Sequence, residues 1–115
     1  MISVNATGAA GITEMLLQSQ GGTLRFLPAL PAEWSEGSVK GLRARGGFGV
    51  DIDWSDASFQ SAVLRSDLGR RCVIAADQPL RITSQGREVA FTENGDSISF
   101  ETSAGAVYRV APRLP

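Results

Sequence analysis

The sequence contains no histidine and one cysteine, and aromatic residues make up 7% of it. Without histidine there is no side chain that titrates unperturbed near neutral pH, and the commonest metal ligand is missing. A serine or cysteine triad and a zinc site are therefore not expected. A lone cysteine, Cys72, excludes an internal disulfide and leaves the compartment open. The formal net charge is −1, with acids and bases scattered. No basic stripe is present to follow a phosphate backbone or an anionic bilayer, so neither nucleic acid nor membrane is an expected partner. No apolar run approaches the roughly 20 residues that a membrane-spanning helix needs, and the first residues do not read as a signal peptide. A soluble chain is the expectation, and its length of 115 residues is that of one domain with one core.

What is present changes period at Gly21-Gly22. Before it, Ala9, Ile12, Met15 and Leu16 recur at three and four residues, with Asn5 or Thr7 placed to cap, and predict a helix over 8–20. Leu17 lies outside that stripe. The helix is thus apolar over much of its circumference, which suits burial between neighbours that a small domain does not supply. After Gly22, short alternating runs are separated by Gly, Pro, Asn and Asp. Thr23–Leu27 reads as a first strand and Pro28–Gly47 as a long irregular stretch. Phe48–Trp54 alternates cleanly, with Phe48, Val50, Ile52 and Trp54 on one face and Asp51 and Asp53 on the other. Ser58–Ser66 and Arg71–Ala75 read as a hairpin about Asp67–Arg70, and Leu80–Ser84 follows a turn at Asp77-Gln78-Pro79. Asn94-Gly95 suits a type I′ turn between Arg87–Thr92 and Ser97–Thr102, and Ala106–Val110 would complete a three-stranded meander. The predicted fold is mainly β: a two-layer antiparallel β-sandwich with one N-terminal α-helix.

Several local patterns invite functional readings, and plainer ones outweigh most of them. Asp51, Asp53 and Asp56 fail the spacing of a calcium loop and fit the solvent face of a strand. Gly46-Gly47-Phe48-Gly49 precedes a strand where a phosphate loop would need a helix, so it reads as a tight lead into that strand. Asn5-Ala6-Thr7 matches the glycosylation acceptor, a short pattern that here sits at a predicted helix cap. Trp34, Trp54 and Tyr108 suggest a sugar-stacking platform, yet Trp54 and Tyr108 fall in register with core faces, which leaves Trp34 as the contact in the long loop. Cys72, followed by Val73 and Ile74, reads as a small core residue. No cofactor or metal is called for.

The run Gly11-Ile-Thr-Glu-Met-Leu-Leu-Gln-Ser19, then Leu27-Pro-Ala-Leu-Pro31, Trp34 and Gly37-Ser-Val-Lys-Gly-Leu-Arg-Ala-Arg-Gly-Gly-Phe48, resembles the C-terminal part of bacterial and plant α-L-fucosidases of glycoside hydrolase family 95. Trp54, Ser66, Gly69, Cys72 and Val73 continue the likeness more loosely. The resemblance implies that residues 1–22 are a remnant of the last helix of an (α/α) barrel and that 23–115 are a C-terminal β-sandwich domain. It also implies inverting chemistry, in which one carboxyl protonates the leaving oxygen while a base activates water. The acid of such enzymes lies upstream of this region. Their base is an aspartate in an Asp-Gly-Asn-Phe-Gly run before the final helix; Asn5 aligns with that asparagine, but Ser3 and Val4 replace the aspartate and the first glycine, and Ala6 and Thr7 depart from Phe-Gly.

The resemblance therefore implies an accessory domain that is not an enzyme by itself and that braces a parent glycosidase's catalytic barrel. An alternative is a carbohydrate-binding module using Trp34 and the Arg43/Arg45 loop. The plain reading of those arginines is that they pair with acids or lie solvated. Candidate substrate-binding residues are Asn5, as a motif remnant, and Trp34, with no catalytic residue assigned. The candidate partners are the barrel and a second copy of the chain, paired as a homodimer through the helix 8–20, since its apolar stripe needs a cover.

Overall fold

The alternation that marks Phe48–Trp54 as a strand also dictates which way it faces: Phe48, Val50, Ile52 and Trp54 are all buried. Around it, a computed structural model describes residues 2–5, 17–27, 33–56, 58–76 and 78–113. These form β1 (Ile2–Asn5), β2 (Leu17–Gln18), β3 (Thr23–Phe26), β4 (Gly37–Ala44), β5 (Phe48–Ser55) and β6 (Ser58–Ser66). They continue as β7 (Cys72–Ala75), β8 (Leu80–Ser84), β9 (Arg87–Glu88), β10 (Thr92–Asn94), β11 (Ser97–Phe100) and β12 (Val107–Pro112). One sheet has seven strands in the order β1-β4-β5-β6-β12-β8-β9 and the other five, β10-β11-β7-β3-β2. Most pairs are antiparallel, but β1 runs parallel to β4 and β3 to β7, so the sandwich is mixed at those two seams.

The core lies between the layers. Leu42, Val50, Ile52, Leu64 and Val110 face inward from the larger sheet, and Leu24, Cys72, Ile74, Ile98 and Phe100 from the smaller. Two aromatic pairs bridge the layers: Phe26 stacks on Phe59 with centroids 5.3 Å apart, and Phe100 meets Tyr108 edge to face at 5.3 Å. Among the described residues no helix is long and apolar enough to cross a membrane.

Several expectations are corrected. The helix predicted over 8–20 falls mainly on residues outside those described. Its last residues are not helical: Leu17 and Gln18 pair with Phe26 and Arg25, and Gln20–Gly22 form a short 3-10 turn. Leu17 is 4% exposed, so the sandwich itself covers it. The proposed pairing of two copies through this stripe thus rests on Ile12, Met15 and Leu16, which lie outside the described residues.

The long irregular stretch contains β4. Its alternation is interrupted because Lys40 and Gly41 are both exposed, where the register with β5 shifts between Val39 and Leu42. Gly41 has φ 79°, and its N–H donates to Asp51 Oδ1 at 2.9 Å. A bulge with a left-handed glycine resets the two-residue period and looks like loop punctuation in sequence.

The expected hairpin of Ser58–Ser66 with Arg71–Ala75 is instead a corner between layers, since β6 pairs with β5 and β12 while β7 pairs with β11 and β3. The expected meander is split likewise, with β11 in one sheet and β12 in the other. At Asn94-Gly95 the pairing of Asn94 with Ser97 makes Gly95 and Asp96 the turn residues. Only Gly95 of the two has positive φ, the signature of a type II′ rather than a type I′ turn. A type I′ pattern occurs instead at Gln85-Gly86, φ 53° and 77°, between β8 and β9.

Candidate functional site

The exposed chemistry of the larger sheet gathers on the outer face of β4, β5 and β6. Register places Arg43 opposite Gly49, and Gly49 opposite Arg65. A methyl group on Gly49 would lie 3.1 Å from Arg43 Nη1 and 3.2 Å from Arg65 Nη2, so the missing side chain gives two guanidinium groups room to lie over the sheet. Each has a carboxylate partner. Arg43 Nη2 contacts Asp67 Oδ2 at 2.8 Å, and Arg65 bonds both oxygens of Asp51 at 3.0 and 3.1 Å.

The two pairs differ in environment. Arg43 and Asp67 are more than half exposed, whereas the Asp51 side chain is 26% exposed and also accepts the Gly41 N–H. The Arg65 hydrogen bonds hold the Asp51 carboxyl below its ordinary value, against the opposing effect of partial burial, and the same contact raises Arg65. Asp51 is thereby kept ionised and occupied. This is an arrangement for holding positive and negative groups in place, not for exchanging a proton at neutral pH.

Of the three aromatic residues weighed as a sugar platform, Trp54 and Tyr108 lie in the core, as their register implies. Trp54 is buried, and its indole Nε1–H donates to the Trp34 carbonyl at 2.8 Å. Tyr108 is also buried, with its hydroxyl accepting the Ser103 N–H at 2.9 Å. Trp34 is half-buried and packs against the core. Arg43 stands opposite Gly49 while Trp34 is tied to Trp54, five residues along β5. Arg45 is exposed, and its backbone N–H donates to Ser19 Oγ at 3.1 Å.

Asn5 lies in β1 with its backbone paired to Lys40. Cys72 is fully buried, and desolvation pushes its thiol up to about 12, as befits an inert core residue. Gly46 and Gly47, φ 92° and 77°, do form the tight lead into β5. Among the described residues no group of three or more histidine, cysteine or acidic side chains is placed to hold a metal ion.

Sequence reasoning missed two constellations. Arg65 meets Asp51 diagonally across β5 and β6, a contact that only the register reveals. The second joins Ser66, Gly69, Arg70 and Thr102 at the corner between layers. Its sequence signal is a buried-register serine, Ser66, next to a turn.

Comparison with known proteins adds what geometry alone does not. Over 58 residues the chain is 50% identical to alpha-L-fucosidase 2 of Arabidopsis thaliana, covering 50% of this chain and 7% of that protein. Over 27 residues it is 67% identical to the probable alpha-fucosidase A of Aspergillus oryzae, covering 24% of this chain and 4% of that one. In these alignments the chain spans only a small fraction of its relatives' length. Residues 18–110, which take in the strands from Thr23 to Val110, match the C-terminal domain of glycoside hydrolase family 95, and the chain belongs to that family as this domain.

Proposed function

We propose that this chain is an accessory domain of an α-L-fucosidase-type glycoside hydrolase, that it is not catalytic alone, and that its work is to brace the catalytic barrel. The observation that carries this reading is the family match over residues 18–110, a stretch whose described residues form most of the two sheets. Two features support the finer points. In sequence, Ser3 and Val4 stand where fucosidases of this family have the aspartate and first glycine of their base motif. In structure, β1 is the terminal strand of the larger sheet and β2 that of the smaller, and Ser19 ties β2's end to Arg45 beside β4. The N-terminal stretch thus grips both layers along one side, which is where an upstream barrel would abut. The boundary at residues 22/23 between barrel remnant and sandwich belongs to this proposal.

The purified chain is expected to release no fucose from an aryl fucoside or a fucosylated oligosaccharide. Turnover that survives repurification and disappears in Asn5→Ala would overturn the non-catalytic reading. For the bracing role, the corresponding segment of the Arabidopsis relative is deleted and then replaced by this chain. Deletion is expected to lower that protein's melting temperature and replacement to restore it; an unchanged melting temperature on deletion would refute the role.

A further inference from the structure

The side of the sandwich opposite β1 and β2 is built differently. There β9 is the last strand of the larger sheet and β10 the last of the smaller, so Val89–Phe91 crosses from one layer to the other. Two open depressions share Ala90 and Phe91 as a common wall. The one on the smaller sheet, about 390 Å³, is completed by Arg71, Thr92, Ser99 and Glu101. The one on the larger sheet, about 310 Å³, is completed chiefly by Arg81, Glu88 and Arg113. Both volumes fall in the range of small-molecule sites, about 300–1,000 Å³.

The polar groups around this ridge are positioned. Arg71 Nη2 donates to the buried Ser99 Oγ at 2.9 Å, which leaves other N–H groups of that guanidinium for a ligand. Arg81 Nε contacts Glu88 Oε1 at 2.8 Å. The Arg113 N–H donates to the Pro79 carbonyl at 2.9 Å, which fixes the end of β12 beside the second depression. Charges of both signs line the two depressions, so a polyphosphate or polysulfate would meet Glu88 and Glu101 as well as the arginines. Guanidinium and carboxylate groups beside an aromatic wall suit a ligand rich in neutral hydroxyls, with C–H faces for the ring and paired hydroxyls for the charged groups. Two open depressions on either side of one ridge suit a chain better than a single enclosed molecule.

We propose that this cleft binds a neutral oligosaccharide, with one sugar ring in each depression and the chain crossing the Ala90–Phe91 ridge. The assignment goes beyond the accessory role and is independent of it. A barrel abutting the β1/β2 side would leave the cleft in solvent.

The test is a titration of the ¹⁵N-labelled chain with 2′-fucosyllactose, followed by amide chemical shifts, with inorganic phosphate as the anion control. Saturable shifts confined to the two depressions, at residues 71, 90–92 and 99–101 on one side of the ridge and 80–82, 88–89 and 113 on the other, with a millimolar dissociation constant, are expected. Phe91→Ala and Arg71→Gln are each expected to weaken binding about tenfold, and Trp34→Ala to leave it unchanged. The spectrum of each variant shows directly whether the fold is kept, and Arg71→Gln alters an exposed side chain. No shifts at high millimolar sugar would overturn the proposal, as would shifts centred on Trp34 or equal shifts with phosphate. None of these outcomes bears on fucosidase activity or on bracing.

Discussion

The corner between β6 and β7 is closed by a directional chain of hydrogen bonds, and removing its middle member gives a defined loss. The Gly69 N–H donates to Ser66 Oγ at 3.0 Å, and Ser66 Oγ lies 2.7 Å from Thr102 Oγ1. Thr102 has one hydroxyl proton and gives it to the Arg70 carbonyl, so Ser66 must be the donor to Thr102. Ser66 is fully buried, while its backbone N–H and carbonyl bond Ala106 and Gly105 and are untouched by a side-chain change. Ser66→Ala therefore strands one N–H donor and one hydroxyl acceptor. A buried unsatisfied group costs about 1–3 kcal/mol. Because Gly69 and Thr102 are only half-buried, water can reach part of the gap and the expected loss is about 1–2 kcal/mol. For a domain of this length that is a fall of about 4–8 °C in melting temperature.

Thermal and urea unfolding of Ser66→Ala, Thr102→Val and the double variant measure this. The two substitutions interrupt one chain, so the double loss is expected to fall short of the sum by at least about 0.5 kcal/mol. Ser61→Ala, on the outward side of the same strand, is the control and is expected within about 0.5 kcal/mol of the parent. A Ser66→Ala loss no larger than the control's, or strict additivity with Thr102→Val, would show that the corner is held by packing alone.

Asp51 has a folded pKa below 3.8 because it bonds Arg65. The stability it contributes is therefore present above pH 3.8 and lost as pH falls through the lower folded value. Asp51→Asn is expected to flatten that acid limb, by no more than about 1 kcal/mol for a pair this open to solvent; melting curves from pH 2 to 6 with an unchanged acid limb would count against the pairing. Cys72, with its thiol pushed up to about 12, is expected to resist a thiol reagent at pH 8 in the folded chain and to react at once in urea. Rapid labelling without denaturant would refute its burial. Leu64→Ala removes a fully buried side chain between the sheets and is expected to cost about 2–5 kcal/mol in urea unfolding. A smaller loss would mean that the core collapses around the gap.

The sequence by itself determined the kind of structure and the inward set of the best strands. Phe48 to Trp54 needed only the two-residue period, and Cys72 only its apolar neighbours, because burial on a pleated strand is a local consequence of alternation. The family was also legible, from ordered runs such as Gly37–Phe48.

Which strand lies beside which was decided by tertiary structure. The turn residues that close a hairpin also make a corner between layers, so Asp67–Arg70 gave no hint that β6 and β7 part company. Gly41 hid β4, because a bulge breaks the alternation that betrays a strand, and its cost is offset by Asp51 from the neighbouring strand. Trp34, Arg43 and Arg45 share one loop-like stretch of sequence, but Arg43 belongs to β4 while Trp34 and Arg45 flank that strand. The cleft around Phe91 has no sequence signature at all, because its walls come from both sheets and converge only where the chain crosses between them.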